Sequence, residues 1–192
     1  MLKEECYFFD DFEGGIDNWV FNSGGGGTGS IVDENGNAVL KLTGVVQPDL
    51  PRNWDNYLFK FRFKRIEGSV HVNFRKTSRH EGQSRYIVAM SHQMNNLNKH
   101  FNVYDDENWK RLDDTNFGFD GGWHTLEIRG YDNILNVYLD DKILYKYKDT
   151  ENPFLSGMPG FEIHTGGLPI TPEFLIDDVE VKLITAEDVI YP

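Results

Sequence analysis

The sequence predicts an all-β fold, an antiparallel β-sandwich with a jelly-roll arrangement of strands. About a dozen short stretches carry apolar residues alternating with polar ones, as strands with one buried face do. Turn residues separate these stretches at nearly regular spacing, and no stretch keeps a convincing helical period. A chain of 192 residues fits one such sandwich, so we expect a single domain over residues 1–192.

The clearest pattern lies at residues 58–75, LFKFRFKRIEGSVHVNFR. Its main apolar positions are Phe59, Phe61, Phe63, Val70, Val72 and Phe74. The second half carries His71, Asn73 and Arg75 at the alternate positions. Because successive side chains of a strand point to opposite faces, we predict a hairpin with one apolar and one polar face. Residues 66–69, which include a glycine, are expected to form its turn.

The remaining strands are predicted from shorter apolar or alternating runs. They are residues 6–12, 19–21, 38–43, 85–91, 99–104, 109–112, 123–129, 134–139, 143–147, 161–164 and 174–182. Residues 23–30 are rich in glycine, and residues 47–53 contain two prolines, so both segments are expected to be loops. Trp19 and Trp123 begin strands and are assigned to the core.

Charge and cysteine content narrow the classes of partner. The net charge of −12 argues against binding of nucleic acid and disfavours anionic membranes, because both need clustered Lys and Arg. Cys6 is the single cysteine, so no internal disulfide can form. No apolar run is long enough for a transmembrane helix, and the N-terminus lacks the apolar core of a signal peptide. We expect a module of a larger secreted or cell-surface protein.

Acidic residues cluster near both ends of the chain. Asp10, Asp11 and Glu13 come early, and Asp177 and Asp178 come late. The first and last strands of a jelly roll often lie side by side, which would bring these oxygens together. Ca²⁺ binds six to eight oxygen ligands, so a structural calcium site is one interpretation. Ordinary solvated acids beside turns are the other.

The polar face of the predicted sheet is a candidate binding surface. Its members are His71, Asn73, Arg75, His100, Asn102, Tyr104, Glu162 and His164. Planar polar side chains can hydrogen-bond sugar hydroxyls, and a tyrosine can stack on the C–H face of a sugar. The alternative is the solvated side of an antiparallel sheet. The abundance of His and Asn, in place of Lys, Glu and Thr, favours the sugar.

Aromatic residues in polar surroundings could serve as stacking platforms. The candidates are Trp54, Tyr86, Tyr104 and Trp109, with burial in the core as the alternative for each tryptophan. Catalysis has weaker support, since the sequence lacks G-x-S-x-G, H-E-x-x-H and the E-x-D-x-x-E of sandwich glycosidases. A dispersed pair of acids stays open.

Several motifs resemble those of concanavalin A-like, laminin-G-like sandwich domains. They are FFDDFEGGIDNW at residues 8–19, GSVHVNFR at 68–75, GGWHTLEIRGYDNILNVYLDD at 121–141, MPGFEIHTG at 158–166 and FLIDDVEV at 174–181. Within that superfamily the chain resembles family-66-like carbohydrate-binding modules. The resemblance implies a structural Ca²⁺ held by Asp11 or Glu13 with Asp178, and an Arg75 that faces the sugar-binding sheet.

We therefore predict a monomeric, non-catalytic carbohydrate-binding module tethered to a catalytic domain. It would bring that domain to a plant cell-wall or fructan-type polysaccharide. On this hypothesis, substitution of Arg75 by alanine abolishes binding and leaves thermal stability nearly unchanged. The alternatives are a sandwich-fold glycoside hydrolase or polysaccharide lyase, and a structural cell-surface adhesion module.

Overall fold

The computed structural model describes residues 6–22, 25–77, 83–91, 95–103, 106–114 and 117–192. In chain order its strands are β1 (Cys6–Asp10), β2 (Val20–Asn22), β3 (Thr28–Asp33), β4 (Ala38–Thr43), β5 (Gln47–Asp49), β6 (Tyr57–Glu67), β7 (Ser69–Lys76), β8 (Arg85–Met90), β9 (Asn95–Val103), β10 (Asp106–Asp113), β11 (Trp123–Tyr131), β12 (Ile134–Leu139), β13 (Lys142–Lys148), β14 (Met158–His164) and β15 (Glu173–Leu183). A short 3-10 helix follows at Ala186–Asp188.

The strands form two antiparallel sheets, which confirms the predicted all-β sandwich. The first sheet has the order β13-β12-β11-β6-β15-β4-β3, with β1 also paired to β15. The second sheet has the order β10-β9-β8-β7-β14-β5-β2. The predicted pairing of the first and last strands is confirmed by the register Asp10–Val179. Within the described part of the chain, no helix is long and apolar enough to span a membrane.

The predicted hairpin at residues 58–75 is wrong, although the apolar side of each of its two strands is predicted correctly. β6 pairs with β11 and β15 in the first sheet, whereas β7 pairs with β8 and β14 in the second. Gly68, at φ 89°, makes the corner between the sheets. A Cβ there would lie 2.5 Å from the Pro172 Cβ, so the corner has room only for glycine. The apolar sides of β6 and β7 thus face each other across the core.

Aromatic rings from both sheets fill the core. The Phe161 ring lies 4.7 Å from that of Phe61 and 5.8 Å from that of Trp19, between ring centres. Trp19 is buried as predicted, and its indole N–H donates a 3.0 Å hydrogen bond to Asp10 Oδ2. The same prediction for Trp123 is wrong. Trp123 is only half-buried, on the outer face of the first sheet, with the Arg62 guanidinium 4.9 Å from its ring centre.

Two segments predicted as loops contribute strands. β3 begins at Thr28, inside the segment predicted as a glycine-rich loop, and β5 lies inside the proline-containing loop at residues 47–53. A Cβ on Gly29 would lie 2.2 Å from the Phe21 ring, so this glycine lets a strand pass close to an aromatic side chain. A glycine-rich composition cannot distinguish a flexible loop from a strand whose backbone packs closely against a side chain.

Candidate functional site

The outer face of the second sheet gathers polar side chains from five adjacent strands, β14, β7, β8, β9 and β10. We call this surface the polar face, and its main members are His71, Asn73, Arg85, Ala89, Asn96, Asn98, His100, Trp109, Arg111, Glu162 and His164. The register sets neighbouring strands so that His71 lies between Glu162 and Ala89, and His100 lies beside Trp109. Side chains at directly paired positions share one face, so the alternation seen in the sequence becomes a continuous surface.

A groove of about 630 Å³ crosses the polar face. It is lined by His71, Ala89, Ser91, Asn96, Asn98, Trp109 and Arg111. Trp109 is 46% exposed, and its ring stacks on that of His100 with centres 4.5 Å apart and planes 21° apart. The His71 ring lies 5.7 Å from Trp109. Backed by His100, Trp109 offers the groove a fixed aromatic surface.

The amide side chains of the groove come from one strand. Asn96 and Asn98 are buried at 6% and 8% exposure, and Asn98 Nδ2 donates a hydrogen bond to Asn96 Oδ1. This contact holds both amides against the floor of the groove. They were absent from the predicted site, as was Arg111. The sequence did carry a signal for them: Asn98 lies two residues before His100, and Arg111 lies two residues after Trp109. Residues two apart on a strand lie on the same face of the sheet.

Glu162 is held as an anion by neighbouring cations and rings. Arg85 Nη2 donates a 3.1 Å hydrogen bond to Glu162 Oε2, and His71 Nδ1 lies 3.8 Å from the same oxygen. The rings of His71 and His164 are 4.3 Å apart. Burial opposes ionisation of this carboxyl, but His71, Arg85 and His164 outweigh it and lower the pKa of Glu162 to about 2.

Substitution of Glu162 by glutamine should therefore destabilise the domain in a pH-dependent way. A carboxyl whose pKa is lowered by folding stabilises the native state above its unfolded pKa, and this stabilisation disappears as the pH falls toward the folded value. We expect a loss of about 1–2 kcal/mol at pH 7 that narrows between pH 5 and pH 2, measured by urea unfolding. If Glu162→Gln lowered the free energy of unfolding equally at pH 7 and at pH 2, Glu162 would not be the stabilising carboxylate assigned here.

Arg75 is a structural residue, which corrects the prediction that it faces the binding sheet. It is 0% exposed. Its guanidinium donates hydrogen bonds to the backbone oxygens of Asp132 at 2.6 Å, Asp55 at 2.8 Å and Phe154 at 2.9 Å. Arg75 has φ 51°, and this left-handed residue interrupts the alternation that would have placed it beside Asn73 and His71. No surface of Arg75 is left for a ligand.

Other predicted contacts are also buried or fall outside the described residues. Tyr86 is 2% exposed, donates a 2.6 Å hydrogen bond to Asp149 Oδ2 and accepts one from the Phe154 N–H, so its predicted stacking role is wrong. Asn73 lies on the polar face but is 0% exposed. The side chain of Asn102 and the whole of Tyr104 lie outside the described residues.

The predicted calcium ligands do not converge. Asp11 Oδ1 accepts the Glu13 N–H, Glu13 Oε1 accepts the Ala38 N–H, and Asp178 Oδ2 pairs with Arg62 Nη1 at 3.1 Å. Among the described residues, no group of three or more His, Cys, Asp or Glu side chains could hold a metal ion. The residues present therefore do not fit a calcium site as they stand, and the calcium ion stays a prediction without support from this geometry.

No protein-family model matches the chain, and no curated protein matches it in sequence. Solved structures do match. A carbohydrate-binding module, CBM66, from Bacillus subtilis aligns with TM-score 0.60 and 12% identity over 86% of this chain and 95% of that chain. A family 16 glycoside hydrolase from Bacteroides ovatus, in complex with a glucan product, aligns with TM-score 0.68 and 12% identity over 91% and 99%. The β-glucanase of Bacillus licheniformis gives 0.67 and 13% over 93% and 98%.

These similarities establish the fold. The chain is an antiparallel jelly-roll sandwich, as predicted, and it shares this fold with the family 66 carbohydrate-binding module and with the glucanases. The same fold carries a binding module in one neighbour and hydrolases in others. Function has to be argued from the groove itself.

Proposed function

We propose that this chain is a non-catalytic carbohydrate-binding module whose ligand lies in the groove of the polar face. The observation that carries the proposal is Trp109, which is 46% exposed and is stacked on His100. An indole held in this way can stack on the C–H face of a pyranose or furanose ring. The amides of Asn96 and Asn98, which line the same groove, can exchange hydrogen bonds with sugar hydroxyls.

The charge state of Glu162 favours binding over hydrolysis. Glycoside hydrolases use two carboxyl groups, one of which must hold a proton and so has a raised pKa. Glu162 is the one carboxylate among the polar-face side chains named above, and its pKa is lowered to about 2. A carboxylate that is ionised and paired with Arg85 is a poor general acid. The proposal therefore assigns no catalytic residue.

The module would act in a larger extracellular protein that degrades a polysaccharide. A weak binding module raises the effective concentration of an attached catalytic domain at the polymer surface. Support for this context comes from the groove and from the carbohydrate-binding and glycan-degrading proteins that share the fold. Export, tethering and a monomeric state are parts of the proposal that the sequence of the surrounding gene and a sizing experiment can test.

Substitution of Trp109 by alanine is the direct test of the groove. Wild-type protein should be retarded by at least one polysaccharide in affinity electrophoresis, and Trp109→Ala should weaken that affinity about five- to tenfold, because a stacked ring contributes on the order of 1 kcal/mol. Trp109 is half-exposed, so the thermal midpoint should change little.

Phe9→Ala is the matched control. Phe9 is an aromatic residue with 53% exposure on the first sheet, away from the groove, so its removal should leave affinity unchanged. Reducing ends and unsaturated products are assayed in the same incubations. Retardation that survives Trp109→Ala would move the binding site elsewhere, and release of products by the wild-type protein would establish an enzyme instead.

A further inference from the structure

We propose that the groove selects an acidic glycan, one that carries carboxylate or sulfate groups, and that Arg111 is the residue that recognises the anion. This inference rests on the proposed function and specifies its ligand class. Arg111 lines the groove together with Trp109 and Asn98, and its register places it directly beside Asn98 on β9. A sugar stacked on Trp109 would therefore bring its substituents within reach of a guanidinium.

The first observation is that Arg111 has no partner among the residues that the structure describes. Across the described residues, other arginines of the second sheet have protein partners: Arg75 binds backbone oxygens, and Arg85 binds Glu162. Arg111 is exposed and has neither an ion pair nor a hydrogen bond within the described part of the chain. A guanidinium presents several N–H groups in a planar fork that matches a carboxylate or sulfate, so an unpaired one in a groove fits an anionic ligand group.

The second observation is the contrast between the groove and the rest of the chain. The protein carries 31 Asp and Glu against 19 Lys and Arg, for a net charge of −12. Among the described residues that line the groove there is no carboxylate, while Arg111 and His71 are both present. The nearest acid on the polar face, Glu162, is paired with Arg85 and lies close to His71. The acidic surface repels acidic polymers, whereas the groove presents the Arg111 guanidinium and, among its described lining residues, no carboxylate.

The acidic surface also limits the kind of polyanion. Nucleic acids present closely spaced charges and need many Lys and Arg contacts along the backbone. A single guanidinium beside an aromatic platform instead suits a polymer whose charges are separated by neutral sugar hydroxyls. Asn96 and Asn98 would take those hydroxyls, and Arg111 would take the anion.

The test compares acidic polysaccharides with derivatives that differ only in charge. Affinity electrophoresis is run with polygalacturonate and its methyl ester, alginate and its carboxyl-reduced form, and carrageenan and its desulfated form. We expect the wild-type protein to prefer at least one acidic member over its neutral partner, and the pairs separate carboxylate from sulfate recognition. Arg111→Gln should reduce that affinity about tenfold or more, since charged hydrogen bonds are the strong ones. Added salt should weaken the same interaction.

Arg52→Gln is the control for net charge. Arg52 is exposed, its guanidinium lies 5.9 Å from the Phe8 ring centre, and it does not line the groove. Its substitution by glutamine therefore changes the net charge as much as Arg111→Gln does, without altering the groove. Binding of neutral glycans that is lost in Trp109→Ala but unchanged in Arg111→Gln would overturn the acidic ligand and leave the binding module intact. Equal losses in Arg111→Gln and Arg52→Gln would also overturn it. No retardation by any acidic or neutral polymer would overturn both proposals.

Discussion

Replacing Arg75 with alanine should lower the free energy of unfolding by at least about 3 kcal/mol. The side chain is 0% exposed, and its guanidinium satisfies backbone oxygens of Asp55, Asp132 and Phe154, three separate segments of the chain. Truncation would leave these partly buried backbone oxygens without their donor and open a cavity where the buried side chain lay. The effect is measured as the free energy of unfolding in urea, with thermal unfolding as a second probe.

Two further variants make this result interpretable. Arg75→Lys keeps the charge but cannot reproduce the planar fork, so an intermediate loss is expected even if the alanine variant does not fold. Arg111→Ala removes the same kind of side chain from an exposed position and should leave stability near that of the wild type. If Arg75→Ala kept wild-type stability and lost only glycan binding, the structural role assigned to Arg75 would be wrong.

Replacing Asp149 with alanine should cost about 3–5 kcal/mol of stability, because it isolates a buried ammonium group. Lys99 and Asp149 are each 1% exposed on their side chains and form a direct ion pair. Lys99 Nζ also donates to the backbone oxygens of Glu151 at 2.6 Å and Asn152 at 2.8 Å, and the Phe154 ring centre lies 4.7 Å away. The Tyr86 hydroxyl donates to the same carboxylate at 2.6 Å. Loss of Asp149 therefore leaves the buried Lys99 ammonium group without its counter-ion.

The neighbouring exposed ion pair supplies the control. Glu151 pairs with Lys110 at the surface, with side chains 68% and 43% exposed, so Glu151→Ala should change stability little. A double variant, Lys99→Met with Asp149→Asn, removes both charges and should recover much of the loss. If Asp149→Ala unfolded at the same midpoint urea concentration as the wild type, the ion pair between Lys99 and Asp149 would not stabilise the fold.

The alternation of apolar and polar residues predicted which side chains enter the core, but not which sheet each strand joins. In β6 and β7 the period of two is clear, and their apolar sides do face the interior. A period of two is the same whether two successive strands pair edge to edge or pack across a core. The pairing of β6 with β11 and β15 depends on contacts distant in sequence, which the local pattern does not contain.

Local alternation likewise predicts some residues of the candidate site and misses others. His71, Trp109 and Glu162 lie on the polar face because regular alternation carries them there, and their role in binding stays a prediction. Arg75 departs from this alternation because its own backbone is left-handed, with φ 51°. The pattern of side chains along the strand does not show that conformation. A Cβ on Gly157 would lie 2.4 Å from the carbonyl carbon of Arg75, so this local backbone geometry also needs a glycine far along the chain.

The pairing of β1 with β15 also bears on how the chain reaches its native state during synthesis. The ribosome releases Cys6–Asp10 well before Glu173–Leu183, so β1 lacks its partner strand β15 until nearly the whole domain has emerged. Phe8, Phe12 and Trp19, which end up buried, stay accessible to solvent or chaperones during that interval. Closure of so long a loop is slow because its entropic cost comes before any contact repays it. The N-terminal strand should therefore dock late, only after β15 has become available to pair with it.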